Sequence, residues 1–290
     1  MFKEYIKKKL SLLNSFIPVF PRDRIIKLSD GKKTLINNEL MTSNYYPCFL
    51  QDKEEKFLLY CKNEFKNFKY SNQELILYNL LKNTKKSFLI DNIDYNEILG
   101  LGSFNLKNTL FINIFTESKV YFINFKKKTI VNSINIDKSI SMMNFYIEKD
   151  KLFSVYTKKG RNKVFLNQII DFNEMDKKEK IIFSQSDKLE LFYPNIYKNN
   201  SDEYLLIVGC SKGHVFKSEI IELKSNNLKN FKFNKKMTSY KNIFYEGIES
   251  AYPSYDTKNN ILYYVGFGGL HLLWFWTYYK YRKKRLKDKV

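Results

Sequence analysis

Glycine and proline are scarce in this chain: 290 residues hold ten and five of them. No long Gly/Pro-rich linker therefore separates domains. The length reads as one domain, because all-β domains often run this long as a single unit. Cysteine is scarcer still. Cys48, Cys61 and Cys210 offer neither a disulfide framework nor a zinc-ligand spacing. Cys48 and Cys61 fall within apolar runs, where a buried thiol is the ordinary reading, and a reducing compartment is the expectation. Arginine supplies only five of the 50 basic residues: Arg22, Arg24, Arg161, Arg282 and Arg285. Arginine is the side chain that forks onto phosphates and guanine edges. The net charge of +20 is therefore not read as a nucleic-acid interface. There are two histidines, no P-loop, no Ser-His-Asp arrangement and no metal-ligand cluster, so neither cofactor nor metal is expected. Gly100-Leu101-Gly102 lacks the third glycine of a dinucleotide site and reads as a turn.

What is abundant is apolar and aromatic: 44% of the residues are hydrophobic and 17% aromatic, ample for a core. Positive charge is concentrated at Lys280 to Lys289, with seven basic residues and one acid. This is a solvated tail or a weak contact with an anionic membrane surface through Lys280, Arg282, Lys283, Lys284 and Arg285. Near the start, Lys3 to Lys9 precedes the mostly apolar Leu10 to Phe20, which Asn14, Ser15 and Pro18 interrupt and no small-x-small site follows. Residues 1–20 thus read as a short amphipathic helix rather than a signal peptide, and the expected location is cytoplasmic, at most peripheral to a membrane.

An internal repeat organises the rest. Tyr46-Pro47-Cys48-Phe49, Tyr193-Pro194-Asn195-Ile196 and Tyr252-Pro253-Ser254-Tyr255 each lead through a polar turn into an apolar strand. In the last two copies a glycine, Gly209 or Gly266, is followed five residues later by His214 or His271. Each histidine then falls beyond the strand after the repeat start, where a structural role is the ordinary reading. Weaker copies begin at Gly102-Ser103-Phe104 and Met143-Asn144-Phe145. The starts lie near residues 47, 103, 144, 194 and 253, in steps of 56, 41, 50 and 59. Steps of roughly 40–50 residues suit four-stranded propeller blades. Further strands are expected at Lys119 to Phe125, Thr129 to Ile136, Asn162 to Phe172, Lys180 to Ser184 and His214 to Leu223. Asn72 to Leu81 has the best helical period and reads equally as strand.

The fifth unit is short. A hairpin of Arg24 to Leu28 and Thr34 to Asn37 around Asp30-Gly31 would complete it from the N-terminal side. Ile261 to Tyr279 runs 19 residues without a charge, close to the length of a membrane span. The repeat instead assigns Ile261 to Gly266 to a strand, Gly268-Gly269 to a turn and Leu270 to Tyr279 to a return strand. The predicted fold is all-β: a five-bladed β-propeller over residues 21–279, with an N-terminal helix at 1–20 and a basic tail at 280–290.

A proline near the start of each unit, a polar turn and an aromatic-rich strand resemble the five-bladed propellers of the arabinanase, levansucrase and invertase superfamily, with sialidase-like propellers as looser relatives. The resemblance is architectural and covers roughly residues 40–275. It implies carboxylates around a central pocket near the starts of the innermost strands. The family's first-blade Asp before Pro is replaced here by Tyr46, and Glu190 and Glu249, each four residues before a repeat proline, are the candidate catalytic groups. Glu97, before Gly100 to Phe104, is a third carboxylate near a unit start. Convergence of the unit starts would add Asn44, Tyr46, Ser103, Asn144, Tyr193 and Tyr252 as substrate-binding residues. Aromatic rings stack on sugar faces and amides take hydroxyls. Two function classes follow: a glycan-processing or glycan-binding propeller whose partner is a saccharide or glycoconjugate, with or without catalysis, and a non-catalytic interaction scaffold.

Overall fold

The computed structural model describes residues 23–36, 42–66, 69–158, 162–170, 172, 174–176, 178–185, 190–211, 218–238 and 249–267. The expected N-terminal helix, the basic tail, the segment Leu270 to Tyr279, His214 and His271 lie outside them. No helix among the described residues is long and apolar enough to cross a membrane.

The described residues begin with the hairpin β1 (Asp23–Ser29) and β2 (Lys32–Leu35). Its turn residues Asp30 and Gly31 have φ of 50° and 73°. Two successive left-handed residues give the turn twist that suits a two-residue hairpin. Four sheets follow in sequence order. The first holds β3 (Thr42–Asp52), β4 (Glu55–Lys66), β5 (Lys69–Asn79) and β6 (Thr84–Ser87). Asn72 to Leu81 thus falls mostly in a strand. A short 3-10 turn at Tyr95–Glu97 leads to β7 (Gly100–Leu106), β8 (Thr109–Phe115), β9 (Lys119–Asn124) and β10 (Thr129–Asn135). The third sheet holds β11 (Ile140–Glu148), β12 (Lys151–Lys158) and β13 (Lys163–Ile170), with β14 (Glu174–Met175) and β15 (Lys180–Ser184) sharing the outer edge of β13. The fourth holds β16 (Glu190–Lys198), β17 (Tyr204–Ser211), β18 (Ser218–Ser225) and β19 (Lys232–Lys236).

The last sheet joins the two ends of the described chain, in the order β2-β1-β21-β20, with β20 at Glu249–Asp256 and β21 at Ile261–Phe267. The hairpin expected to close the ring does so, with Asp23 to Leu28 pairing against Phe267 to Leu262. β21 is bordered by β20 on one side and β1 on the other.

Period-two alternation explains the fold. In β4, Phe57, Leu59 and Cys61 pack toward the second blade, while Leu58 and Tyr60 pack toward the fifth. In β17, Leu206 and Val208 face the third blade, and Leu205 and Ile207 the fifth. A strand buried on both faces needs a continuous apolar run, which is what these segments carry. The core is accordingly five separate layers, one between each pair of neighbouring blades. The outermost strands β6 and β19 are exposed along their length, and lysines on both guard those edges against further pairing.

Candidate functional site

The innermost strands β3, β7, β11, β16 and β20 surround the axis. Each has a hydrogen-bonded neighbour on one side only. That is why proline is tolerated there: a strand edge facing a channel does not need every N–H. Each Tyr-Pro pair forms a β-bulge. Tyr46 and Pro47 lie between the paired positions Tyr45↔Cys61 and Cys48↔Leu59. Tyr193-Pro194 and Tyr252-Pro253 interrupt the pairing of β16 and β20 in the same way.

The three tyrosines have left-handed backbones, with φ of 54° at Tyr46, 52° at Tyr193 and 56° at Tyr252. For a bulky residue before proline, which ordinarily sits in extended backbone, this conformation is costly, about 1–3 kcal/mol each. The repetition in three blades brings the rings together. Tyr193 and Tyr252 have centroids 3.8 Å apart, Tyr46 and Tyr252 4.6 Å apart and edge-on, and Tyr46 and Tyr193 6.3 Å apart. They share the axial mouth with Asn144 and Asn195.

Below the tyrosines, side chains of one blade satisfy the open backbone edge of the next. Asn144 donates to the carbonyl oxygen of Pro194 at 3.2 Å, and Asn195 to that of Pro253 at 2.9 Å. The Phe49 N–H donates to Ser254 Oγ at 2.8 Å, and Ser103 Oγ to the Phe49 carbonyl at 3.1 Å. The Tyr255 N–H donates to the Tyr197 hydroxyl at 3.1 Å. Burial pushes the neighbouring Cys48 thiol up to about 12, against the contrary effect of a hydrogen bond with Ser103. Cys48 is therefore a protonated packing group at neutral pH.

The predicted site residues divide. Tyr46, Asn144, Tyr193 and Tyr252 meet at the mouth. Ser103 lies deeper, on the channel wall. Asn44 is 2% exposed and lines neither the mouth nor the channel. Glu190, the first residue of β16, is exposed and lines neither. Glu249 begins β20, and its side chain lies outside the described atoms. Glu97, exposed in the 3-10 turn, lines neither. Among the described residues lining the mouth and channel none is Asp or Glu. Among the described residues no cluster of three or more His, Cys, Asp or Glu is placed to hold a metal. Asn195 was not singled out in the sequence, although its position directly after Tyr193-Pro194 was the available signal.

The strand order, the closing hairpin and the aromatic mouth define the molecule as a five-bladed β-propeller. No protein-family model and no curated protein matches the sequence. Solved structures do match it. The catalytic domain of a Coprinopsis cinerea GH62 α-L-arabinofuranosidase superposes with a TM-score of 0.57 at 10% identity, over 88% of this chain and 92% of that one. An endo-arabinase from Bacteroides thetaiotaomicron gives 0.54 at 11% identity, over 78% and 93%. A thermostable family-43 glycoside hydrolase gives 0.53 at 10% identity, over 78% and 89%. The chain shares the five-bladed propeller fold of these glycoside hydrolases.

Proposed function

We propose that this propeller recognises a saccharide at its axial mouth and binds it without hydrolysing it. The observation that carries the reading is the layer of Tyr46, Tyr193 and Tyr252, held at left-handed backbone positions beside the amides of Asn144 and Asn195. Backbone strain repeated at one place is a mark of a functional surface. Aromatic faces with amides suit sugar rings and their hydroxyls. The solved structures with this fold are named as enzymes of arabinan and related glycosides, which supports a saccharide as the ligand. Hydrolysis by the usual route takes two carboxylates flanking the bond. The described residues of the mouth supply none, so binding is the better reading.

The second reading, an interaction scaffold, draws on the closeness of the tyrosines. The void at the mouth is about 10 Å³, at or below what one water needs. Glycan-array binding and glycoside turnover separate the cases, measured on wild type, Tyr252→Ala, Glu190→Gln and Glu249→Gln. The expected result is binding by wild type, at least tenfold weaker in Tyr252→Ala and unchanged in both glutamine variants, with no turnover in any. Turnover lost in Glu249→Gln would restore a hydrolase. No binding by wild type would leave the scaffold.

A further inference from the structure

The three mouth tyrosines are not held alike. The residue before each bulge is Tyr45 in the first blade, Phe192 in the fourth and Ala251 in the fifth. Their cross-strand partners change in the opposite sense: Cys61, Gly209 and Val265. A ring thus stands opposite a small residue in two blades, and in the other an alanine stands opposite a branched one. A Cβ on Gly209 would come within 2.2 Å of the Phe192 ring, so that ring depends on the glycine for its space.

Each of those two rings buttresses the tyrosine that follows it. The centroids of Tyr45 and Tyr46 are 5.9 Å apart, and Phe192 meets Tyr193 edge-on at 6.1 Å. Both distances are ordinary for aromatic pairs. Alanine has no ring with which to support Tyr252 in the same way. Tyr252 is instead set between the other two mouth rings, 4.6 Å from Tyr46 and 3.8 Å from Tyr193. The second contact is closer than aromatic pairs ordinarily sit.

Space on the axis divides at the same level. The void at the mouth is about 10 Å³, room for one water at most, while the channel behind it measures about 220 Å³. Pro47, Leu101, Asn195 and Pro253 border both. Tyr46, Tyr193 and Tyr252 border the mouth alone, so the tyrosine layer lies at the partition.

We propose that Tyr252 is a gate: its ring swings off Tyr46 and Tyr193, which stay in place, and so joins the mouth to the channel. Tyr252 is the member that moves because the position before it supplies no ring, and because its departure relieves the closest of the three contacts. Tyr46 and Tyr193 would each give up a buttress by moving. The strands and their bulges stay as they are, since the motion is a rotation of one side chain. Gating motions of this kind run on microsecond to millisecond timescales. The gate does not depend on saccharide binding at the mouth.

The test is relaxation-dispersion NMR on the full chain, with the tyrosines labelled with ¹³C at the ζ carbon. That carbon lies on the ring-flip axis, so a flip alone leaves its shift unchanged. Wild type should show exchange at Tyr252, with the fully buried Tyr60 and Tyr156 as static controls. Ala251→Phe combined with Val265→Gly transplants the Phe192–Gly209 pair into the fifth blade and should abolish the exchange at Tyr252. Phe192→Leu removes a buttress and should bring exchange to Tyr193, which keeps the test decisive where the double variant fails to fold. A crystal structure of Tyr252→Ala should show mouth and channel as one void. The proposal is overturned by a static Tyr252 in wild type, or by equal exchange at Tyr60 and Tyr156. It is overturned as well if a folded double variant keeps the exchange, if Tyr193 stays static in Phe192→Leu, or if Tyr252→Ala retains two separate voids.

Discussion

Asn195 of β16 hands its amide N–H to the carbonyl oxygen of Pro253 in β20, at 2.9 Å and across 58 residues of sequence. Through this bond one blade covers the open edge of the next. Asn195→Ala should leave the Pro253 oxygen without its donor and destabilise the protein by about 1–3 kcal/mol. Asn195→Asp should cost more, since a carboxylate would face a carbonyl. Urea denaturation of the two variants beside wild type checks the order, and an alanine variant as stable as wild type would show that water replaces the amide.

Gly209 and Phe192 are cross-strand partners, and the ring occupies the space a side chain at the glycine would fill. A Cβ on Gly209 would stand 2.2 Å from the ring edge. The glycine is there for space. Gly209→Ala should lose about 1–3 kcal/mol through overpacking. Phe192→Leu should be less harmful in the Gly209→Ala background than in wild type. A double-mutant cycle measures that coupling, and simple additivity would show that the two residues do not act together.

Ring closure depends on β1. Ile25 and Ile26 are 0% and 1% exposed and face opposite neighbours, the first and fourth blades. Ile25→Ala should cost about 2–5 kcal/mol, while Val131→Ala, at a site 53% exposed, should stay within about 0.5 kcal/mol. Thermal and urea midpoints decide this. A small effect at Ile25 would mean that the closing sheet contributes little to the fold.

Glu179 accepts hydrogen bonds from Lys158 and Tyr156, both of which hold its carboxyl below the usual range. A lowered folded value stabilises the protein above the ordinary glutamate value of about 4.3, and the gain is lost as pH falls through the folded value. The Lys158–Glu179 pair is partly exposed, so the effect should be below about 1 kcal/mol. The stability difference between wild type and Glu179→Gln should therefore be present at pH 7 and shrink toward pH 3. A difference that persists unchanged at pH 3 would assign the loss to packing.

Blade number, the starts of the innermost strands and the closing hairpin were all legible in the chain. Each is local: apolar runs long enough to be buried on both faces, polar turns between them, and Asp30-Gly31 at the hairpin. The axial site was legible only in part. Strand alternation places Asn44 and Tyr46 on one face, and both were expected at the mouth. The bulge at Tyr46-Pro47 breaks that alternation, so Tyr46 reaches the axis while Asn44 is buried away from it. Left-handed backbone before proline runs against local preference, and only the convergence of three blades sustains it. Glu190 matched Glu249 in the repeat, yet it is exposed and lines neither mouth nor channel. The chain by itself determined how many blades form and where each begins, since those follow from contacts between near neighbours. Which side chains meet at the axis was decided by the tertiary structure, because a one-residue bulge redirects a side chain and its neighbours come from other blades, as far away in sequence as Tyr46 is from Tyr252.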